Sequence, residues 1–454
     1  MGHATSTKIL IPSGALGLGY DRAALARGVT EKPDLIAIDG GSTDSGPHYL
    51  GTGTSKYSRS SVKSEWRELM AARAEAGVPL VLGTAGTSGA DDAVDWLVNI
   101  TQEIVSETGE AVKVAVLKSG QQTGAMVAAL SAGKISPLEP VMDVSRDLLE
   151  SCTNIVALAG AEQIQAALET GADIVIAGRT TDTATNAALP LARGCHPGAA
   201  WHGAKIGECG ALATTSPNSG TIMITFDEDG FTVEPMSHAA MATPYTVSAH
   251  MLYENSNPYL LYEPGGHLDV VKAKYEALDD RTVRVTGSEW VVGDAYTVKL
   301  EGARSGGFQT VSIALVREPR YVENIRAWVA DIEAKCTRKA IERVNEAFSL
   351  ELRVIGLDAT LGGLENDPRL GSEVGVLGIV TAASEAVSKE VAKILNPYLL
   401  HHALTEDEEM PTFAFPFSPT EMNRGEIYEF CLNHVLELHD PMEAFDVRVM
   451  EMSA

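Results

Sequence analysis

Short apolar runs alternate with helix-like segments between Lys8 and Arg179. The runs are rich in β-branched residues and end in small or polar residues, which is typical of parallel strands covered on both faces. Between them, residues such as Trp66, Leu69 and Met70 recur at helical spacing. This part of the chain predicts an α/β fold, a doubly wound, mostly parallel and Rossmann-like sheet. The predicted strands are Ile9–Ile11, Asp34–Ile38, Leu80–Leu82, Val112–Leu117, Ile155–Leu158 and Asp173–Ala177.

The pattern changes twice further along the chain. From about Thr180 to Gly266 the alternation fades into a long polar region, which we interpret as loops. From Arg281 onward, strict alternation predicts antiparallel strands, followed by long helices. We therefore expect a Rossmann-like domain with a long polar loop region at 1–280, and an α+β domain with C-terminal helices and a tail at 281–454. The predicted elements of the second domain are strands at 282–285, 296–300 and 310–316 and helices at 322–348 and 382–400.

Composition narrows the functional classes. The 454 residues include 35 Lys and Arg against 61 Asp and Glu, a formal net charge of −26. This surplus repels nucleic-acid phosphates and anionic membrane surfaces, so neither is an expected partner. No apolar run approaches the ~18 residues of a membrane span, and the chain passes from Met1 directly into a strand-like segment, so we expect a cytoplasmic protein. Five scattered cysteines predict neither a disulfide framework nor a structural zinc site.

The densest polar segment follows the second predicted strand. It runs from Asp39 to Tyr49 and includes Ser42, Thr43 and His48. Ligands of a doubly wound sheet bind at the carboxyl ends of strands, which is where this segment lies. Asp39 or His48 would act as an acid or base, and the carboxylates would also suit a divalent metal. A turn with helix caps is the structural alternative.

A glycine-rich turn follows the first predicted strand. Ser13 and Gly14 begin it, and its backbone N–H groups would suit a bound anion. The segment lacks proper GxGxxG spacing and no P-loop lysine follows, so a simple strand-to-helix turn is an equal alternative to a nucleotide site.

Several cations and hydroxyls lie near other strand ends. Arg179 follows the sixth predicted strand, and a guanidinium there would recognise a carboxylate while Asp182 orients it or acts as base. A purely structural Arg179–Asp182 pair is the alternative to this reading. For Lys56 and Arg59, the alternative is that they lie at the start of a solvated helix. The other candidate substrate-binding residues are Lys56, Arg59, Thr84, Lys118 and Thr180.

The polar region adds one further acid. Glu208 lies between Gly207 and Cys209 and is a candidate acid or metal ligand, whereas Cys209 reads as an inert buried thiol. From the second domain, Arg304 or Arg424 would join the site only if their segments fold toward the strand ends.

Four segments together resemble a known family. They are Ile-Val-Ile-Ala-Gly-Arg-Thr-Thr-Asp at 174–182, Gly-Glu-Cys-Gly at 207–210, His-Met-Leu-Tyr-Glu-Asn-Ser-Asn-Pro at 250–258 and Leu-Tyr-Glu-Pro-Gly-Gly-His-Leu-Asp-Val at 261–270. This order is similar to the acyclic terpene utilisation (AtuA-like) family over roughly residues 8 to 320, and residues 421–425 resemble a small companion module. The resemblance implies an α/β fold and a role in the catabolism of carboxylic acids or their CoA thioesters. It brings no established reaction.

These observations lead to a functional hypothesis. We expect an enzyme, a hydro-lyase or isomerase, that removes a proton next to the carboxylate of a small hydroxy- or unsaturated carboxylic acid, or of its thioester. The alternatives are a CoA- or nucleotide-dependent transferase and a non-catalytic subunit of a catabolic complex. The cofactor is left open, with a divalent metal as one candidate, and base rates favour a homo-oligomer.

Overall fold

The computed structural model describes residues 6–140, 143–366 and 369–454. The chain forms two compact units, described separately below. Unit 1 comprises Met1–Arg304 and Phe430–Ala454, and unit 2 comprises Ser305–Glu429.

Helices and strands alternate along most of the described chain. The strands are β1 (Thr7–Ile11), β2 (Leu35–Gly41), β3 (Leu80–Thr87), β4 (Val112–Lys118), β5 (Ile135–Pro137), β6 (Cys152–Ala157), β7 (Ile174–Ala177), β8 (Ile222–Phe226), β9 (Gly230–Pro235), β10 (Leu260–Glu263), β11 (Gly266–Asp269), β12 (Lys274–Ala277), β13 (Val283–Thr286), β14 (Glu289–Val292), β15 (Tyr296–Val316), β16 (Phe348–Ile355), β17 (Val374–Ala382), β18 (Met422–Leu438) and β19 (Asp446–Met452). The helices are α1 (Arg22–Thr30), α2 (His48–Thr52), α3 (Arg59–Ala76), α4 (Asp91–Thr108), α5 (Thr123–Ser131), α6 (Arg146–Ser151), α7 (Ala161–Glu169), α8 (Ala184–Ala192), α9 (Pro197–Gly207), α10 (Pro244–Ala249), α11 (Pro319–Glu323), α12 (Ile325–Ile341) and α13 (Glu385–His401). None of these helices is long and apolar enough to cross a membrane.

The centre of unit 1 is a mixed sheet with strand order β12-β13-β9-β8-β1-β2-β3-β7-β4-β19. Its middle strands, from β1 to β4 in that order, pair in parallel. The strands outside them, from β8 to β12 on one side and β19 on the other, pair antiparallel. The α/β class is therefore confirmed, and the sheet is more mixed than the sequence predicted.

The continuous apolar runs of the middle strands reflect burial on both faces. In β1, Ile9 and Ile11 belong to one core while Leu10 belongs to the other, and all three are buried. The first core includes residues of α7 to α9, and the second includes residues of α1, α3 and α4. Because every strand residue meets a core, these strands lack the alternation of a half-exposed sheet.

One predicted strand has a different place in the fold. The run Ile155–Leu158 lies largely in β6, but β6 pairs antiparallel with residues 300–304 of β15 and is not part of the central sheet. Its β-branched composition is the same as that of the central strands, so composition alone did not separate the two environments.

The polar region from 180 to 266 contains more regular structure than we predicted. It includes α8, α9 and the antiparallel pair β8 and β9. Every residue of α9 from Gly198 to Gly207 is buried. A helix without a solvent face has no amphipathic period, which is why the pattern did not reveal it.

Unit 2 has its own core. Part of β15 pairs antiparallel with β17, which also pairs with β16, and α12 and α13 supply apolar residues to the core of this unit. The residues between the predicted strands at 296–300 and 310–316 lie within β15, which continues through them with a bulge after Ala303. The predicted helix at 322–348 ends earlier, at Ile341, and the helix near 382–400 is α13.

The units divide the chain at other points than the predicted domains 1–280 and 281–454. Strands β13 and β14 lie in unit 1, because β13 pairs with β9 and β14 pairs with β11. Unit 1 also takes up residues 430–454, where β19 pairs with β4. An alternating pattern marks antiparallel pairing but does not say which strand is the partner.

Candidate active site

A cavity of about 590 Å³ opens in unit 1. Its lining includes residues that follow β1, β7 and α9 and residues at the end of β2. In a parallel sheet these carboxyl ends meet at one edge, which is where ligands bind. The lining includes most of the residues predicted from the sequence, namely Ser13, Gly14, Asp39, Ser42, Thr43, Arg179, Asp182 and Glu208.

Arg179 is held in place by residues from three other segments. Its Nε donates to Glu301 Oε2 at 3.0 Å, and its Nη2 donates to Thr43 Oγ1 at 2.6 Å. Nη1 has only long contacts, with Thr84 Oγ1 at 3.4 Å and Asp182 Oδ1 at 3.8 Å. Burial opposes the positive charge, but Glu301 and Asp182 raise the pKa of Arg179 above its usual value. The guanidinium is therefore held by short hydrogen bonds at Nε and Nη2, while Nη1 has only the two longer contacts.

Glu301 is the buried partner of this guanidinium. Both side chains are 8% exposed, and Lys299 Nζ also contacts Glu301, at 3.1 Å. Burial alone would raise the pKa of Glu301, but Arg179 and Lys299 lower it to about 2. Removing one member of such a pair leaves an uncompensated buried charge.

Asp39 reaches the cavity from the end of β2. Its Oδ2 accepts a hydrogen bond from the N–H of Gly41 at 2.9 Å, while Oδ1 is buried without a partner. Burial and the neighbouring Asp182 raise the pKa of Asp39 well above its usual value, against the opposing effect of Arg179. Burial and Asp182 therefore favour the protonated form of this carboxyl group.

Gly83 leaves space for two threonine hydroxyl groups where β3 passes Asp39. A Cβ atom on Gly83 would lie 2.4 Å from Thr185 Oγ1, 2.6 Å from Thr180 Oγ1 and 3.2 Å from Asp39 Oδ1. Such distances are too short for any side chain, so glycine is required where β3 passes the carboxyl group.

Glu208 lies just after the C-terminus of α9 in a second buried charge cluster. Lys205 Nζ donates to Glu208 Oε1 and also to the carbonyl of Tyr253, the latter at 3.0 Å. Nε2 of His250, 3.9 Å from Glu208 Oε1, is buried without a hydrogen-bond partner. Burial raises the pKa of Glu208 to about 8 although Lys205 lowers it, and burial with Lys205 lowers the pKa of His250 to about 4. The negative end of the helix dipole also disfavours a charged carboxylate here.

Thr84 and Thr180 are buried and are not in the cavity lining. Both are fully buried, and Thr84 Oγ1 accepts the N–H of Thr180 at 3.2 Å as well as the long contact from Arg179. Thr84 has a φ of +46°, a conformation that costs energy for a β-branched residue. Thr84 therefore contacts Arg179 directly and Thr180 contacts Thr84, while their predicted role in substrate binding stays a prediction.

The remaining predicted residues are outside the cavity lining. Arg59 pairs with Glu103 at 2.7 Å on the surface, and Lys118 pairs with Asp95 at 2.8 Å. Lys56 is exposed, with its ammonium 5.6 Å from the centre of the Tyr57 ring, and His48 is an exposed residue at the start of α2. The structure does not bring these four side chains together with Asp39 and Glu208.

The glycine-rich turn after β1 already contacts an anion of the chain itself. Glu65 Oε2 accepts the N–H of Gly17 at 2.7 Å, and the N–H of Leu16 donates to the carbonyl of Asp39 at 2.8 Å. These two donors are therefore not directed at the cavity, which weakens the case for a phosphate at this turn.

The sequence analysis assigned no role to several charged residues near the site. Glu301, Lys205 and His250 are buried against the predicted residues, and Asp44 and Glu254 line the cavity. One signal was readable: Lys205 is an isolated cation in a run of small and apolar residues, three positions before Glu208. Of the arginines left open, Arg304 is not in the lining, and Arg424 Nη1 donates to Gln309 within unit 2 at 2.6 Å. In the described part of the chain, no three His, Cys, Asp or Glu side chains are grouped so as to hold a metal ion.

Comparison with known protein families gives a match over most of the chain. The family model described as acyclic terpene utilisation family protein AtuA matches residues 50–215 and 218–405. No curated protein and no solved structure matches the chain. The match confirms the resemblance stated above and extends it past residue 320, while Asp39 and His48 precede the matched residues.

Proposed function

The chain belongs to the acyclic terpene utilisation (AtuA) family, and from this membership and the geometry of the cavity we propose that it is a proton-transfer enzyme. Its substrate is a small hydroxy- or unsaturated carboxylic acid or the corresponding thioester, and the reaction is that of a hydro-lyase or isomerase. One observation carries the proposal: two buried carboxyl groups, Asp39 and Glu208, line the same cavity as the guanidinium of Arg179. Removing a proton next to a carbonyl requires an acid, a base and a positive group in such an arrangement.

The acids of the cavity differ in their environment, and this difference assigns their roles. Asp39 and Glu208 are buried; the pKa of Glu208 is raised to about 8, and burial and Asp182 raise the pKa of Asp39, which favours its protonated form. The side chain of Asp182 is 40% exposed and lies 3.8 Å from Arg179 Nη1. A solvated carboxylate next to buried carboxylic acids is a common way to divide the roles of base and acid. Asp182 therefore serves as the base in this proposal.

Arg179 stabilises the negative charge that develops on the substrate carbonyl. Its Nε and Nη2 are occupied by Glu301 and Thr43, so Nη1 is the group that donates to the substrate oxygen. Because Glu301 and Thr43 hold the guanidinium beforehand, little reorganisation is needed when the charge appears. This role replaces the expectation that Lys56 or Arg59 grips the substrate.

The proposed reaction proceeds in two proton transfers. Asp182 removes the proton next to the carbonyl, and the resulting charge moves to the carbonyl oxygen beside Arg179. Asp39 or Glu208 then delivers a proton, either to a departing hydroxyl group in a hydro-lyase or to another carbon in an isomerase.

Deuterium uptake tests the proposal without a choice between the two reactions. The protein is incubated in D₂O with a panel of C4 to C6 hydroxy and unsaturated acids and their N-acetylcysteamine thioesters, and proton NMR follows the α-carbon. We expect uptake into at least one compound, reduced about 100-fold or more in Asp182→Asn, because Asp182 removes the α-proton in this proposal and acid–base residues contribute about 10²–10⁴-fold to rates. Glu103→Gln, a surface variant on α4, is the control and should match the unaltered chain.

Absence of uptake into every compound would contradict the proposal. Stabilisation by ATP or CoA in a thermal-shift assay, together with no uptake, would instead favour the transferase alternative. A chain that neither takes up deuterium nor responds to any of these compounds would favour the non-catalytic subunit.

Three finer expectations accompany this proposal. Rossmann-like winding is supported by the parallel middle strands and the separate cores on their two faces. A cytoplasmic location and a homo-oligomer are proposed from composition and base rates alone.

A further inference from the structure

The carboxyl group of Glu263 has no role in the proposed function. Glu263 is the last residue of β10, and its Oε1 accepts a hydrogen bond from Thr183 Oγ1. Its Oε2 is buried and has no hydrogen-bond partner in the described part of the chain. Burial raises the pKa of Glu263 to about 7, although hydrogen bonds from Thr181 and Thr183 lower it. An acid with an unpaired buried oxygen costs stability, so packing alone does not account for this residue.

Thr181 and Thr183 stand on either side of Asp182, the proposed base. Thr181 Oγ1 lies 3.3 Å from Thr183 Oγ1 and accepts the N–H of Ala184 at 3.2 Å. Thr183 directly precedes α8, a position where a threonine side chain usually accepts a hydrogen bond from the first helical N–H groups. Thr183 makes no such bond, and its hydroxyl group donates to Glu263 instead. The carboxyl group of Glu263 therefore holds the short turn that carries Asp182.

The backbone fixes Glu263 at the end of a hairpin. Strands β10 and β11 pair antiparallel, with Glu263 opposite Gly266. Pro264 and Gly265 form the turn between them, and Gly265 has the positive φ, +82°, that the third position of a type II turn requires. The turn packs closely on Gly160, where an added Cβ would lie 2.8 Å from the Cβ of Pro264. Strand pairing and packing together hold Glu263 in place.

The turn before α8 is attached to the same segment of the chain. The N–H of Thr181 donates to the carbonyl of Ala159 at 2.9 Å, and Ala159 directly precedes Gly160. The hairpin and the turn therefore meet at these two residues. The side-chain hydrogen bond to Glu263 joins the hairpin and the turn a second time.

The side chain of Asp182 is itself weakly held. It is 40% exposed, and its ion-pair contact with Arg179 Nη1, at 3.8 Å, is longer than a hydrogen bond. The position of this carboxylate therefore depends on the backbone turn that carries it. Misplacing a reacting group by about 1 Å can slow a reaction about 100-fold.

We propose that Glu263 is a positioning residue, which accepts the hydroxyl of Thr183 and so holds Asp182 in the geometry for proton removal. The inference rests on the proposed function, in which Asp182 is the base. Glu263 acts without touching the substrate, since among the described residues it is not part of the cavity lining.

Deuterium uptake by paired variants tests this link. Glu263→Ala removes the acceptor, and Thr183→Val removes the donor while keeping the shape of the side chain. With the panel compound that takes up deuterium fastest, each variant should lower kcat about tenfold or more and leave KM within about twofold, because neither residue binds the substrate. The double variant should be no slower than the slower single variant, since both changes break one link.

A conservative variant and a matched control accompany these changes. Glu263→Gln should restore kcat to within about threefold, because its amide oxygen still accepts the hydroxyl of Thr183. Thr170→Val removes a hydroxyl that donates to the carbonyl of Ala167 at 2.6 Å, outside the lining, and should leave kcat unchanged. Uptake in Glu263→Gln as slow as in Glu263→Ala would overturn the inference, as would losses that multiply in the double variant.

Crystal structures of the unaltered chain, Thr183→Val and Thr170→Val give a readout that needs no substrate. We expect the carboxylate of Asp182 to move by about 1 Å or more, or to occupy several conformers, in Thr183→Val but not in Thr170→Val. Thr183→Val keeps the test valid if Glu263→Ala does not fold.

The two readouts separate the inference from the proposed function. If Asp182 keeps its place in Thr183→Val, the inference is overturned, even where the unaltered chain takes up deuterium and the proposed function stands. If Asp182 moves but no panel compound takes up deuterium with the unaltered chain, Glu263 positions Asp182 and the proposed function fails.

Discussion

Two groups of ion pairs in unit 1 use the same chemistry in different surroundings. On the surface, Arg59 of α3 pairs with Glu103 of α4 at 2.7 Å, with side chains 42% and 45% exposed. At the cavity, Arg179 pairs with Glu301 at 3.0 Å, and both side chains are 8% exposed. The partners lower the pKa of Glu103 and the pKa of Glu301 alike, each to about 2. A strongly shifted pKa therefore does not mark a functional site by itself, whereas burial beside a cavity separates the two groups.

The largest expected effect breaks the buried pair. Glu301→Gln leaves the guanidinium of Arg179 buried without its counter-ion, and we expect the free energy of unfolding to fall by about 3–5 kcal/mol. Urea titration at pH 7 measures the loss. Glu103→Gln should give no measurable change, since an exposed pair contributes little. Equal losses of stability in the two variants would show that burial does not decide how much these ion pairs contribute.

The next effect tests how closely the buried side is packed. In Gly83→Ala, the added Cβ would lie 2.4 Å from Thr185 Oγ1, so we expect a loss of about 1–3 kcal/mol in urea titration. Gly124→Ala in α5 is the matched control, because among the described residues no atom outside its own stretch of helix lies within 4 Å of the added Cβ. It should be neutral or slightly stabilising. A harmless Gly83→Ala would show that the Asp39 carboxyl group is not confined.

A third effect appears in the pH dependence of stability. The pKa of Glu208 is raised to about 8, so between about pH 4.5 and 8 the folded chain holds a proton that the unfolded chain has released. Stability from this group is therefore full at low pH and falls as pH rises through that window, by at most about 1.4 kcal/mol per pH unit.

Urea titrations from pH 5 to 8 measure this slope. Glu208→Gln should remove its share of the decline, while Glu103→Gln should keep it, because the lowered pKa of Glu103 affects stability only below about pH 4.5. An unchanged slope in Glu208→Gln would mean that Glu208 is ionised in the folded chain.

The smallest expected effect is none at all. Arg59→Gln and Lys118→Gln should leave deuterium uptake unchanged, because both cations pair with surface acids and neither is in the lining. Proton NMR in D₂O measures the uptake rates. A tenfold lower uptake rate in either variant would mean that the surface cation contributes to the reaction.

The sequence predicted those site residues that directly follow a recognisable strand. Asp39, Arg179 and Asp182 come at the ends of buried apolar runs, and parallel strands bring such ends to one edge. Arg59 has the same chemistry as Arg179, but its partner Glu103 is 44 positions away, and no local pattern links the two. Burial and pairing over such distances follow from packing, which a single sequence does not display.

The fold was predictable to a similar degree. Buried parallel strands and amphipathic helices such as α3 and α4 left clear periods in the sequence. Helix α9, buried on all sides, left none. Glu301 falls just after the predicted strand at 296–300, which ends where glycines interrupt the alternation, yet β15 continues through these glycines. A buried charged residue can be assigned to a strand from the sequence only when its counter-ion is known.

The order of segments in unit 1 has a consequence for how the protein is made. Strand β19, which borders β4 in the central sheet, follows the whole of unit 2 in the chain. A ribosome must therefore synthesise Ser305–Glu429 before the partner of β4 can emerge. Until then β4 presents a bare row of backbone donors and acceptors, the kind of edge to which other nascent chains attach. Chaperone demand during translation should accordingly peak before residues 446–452 appear.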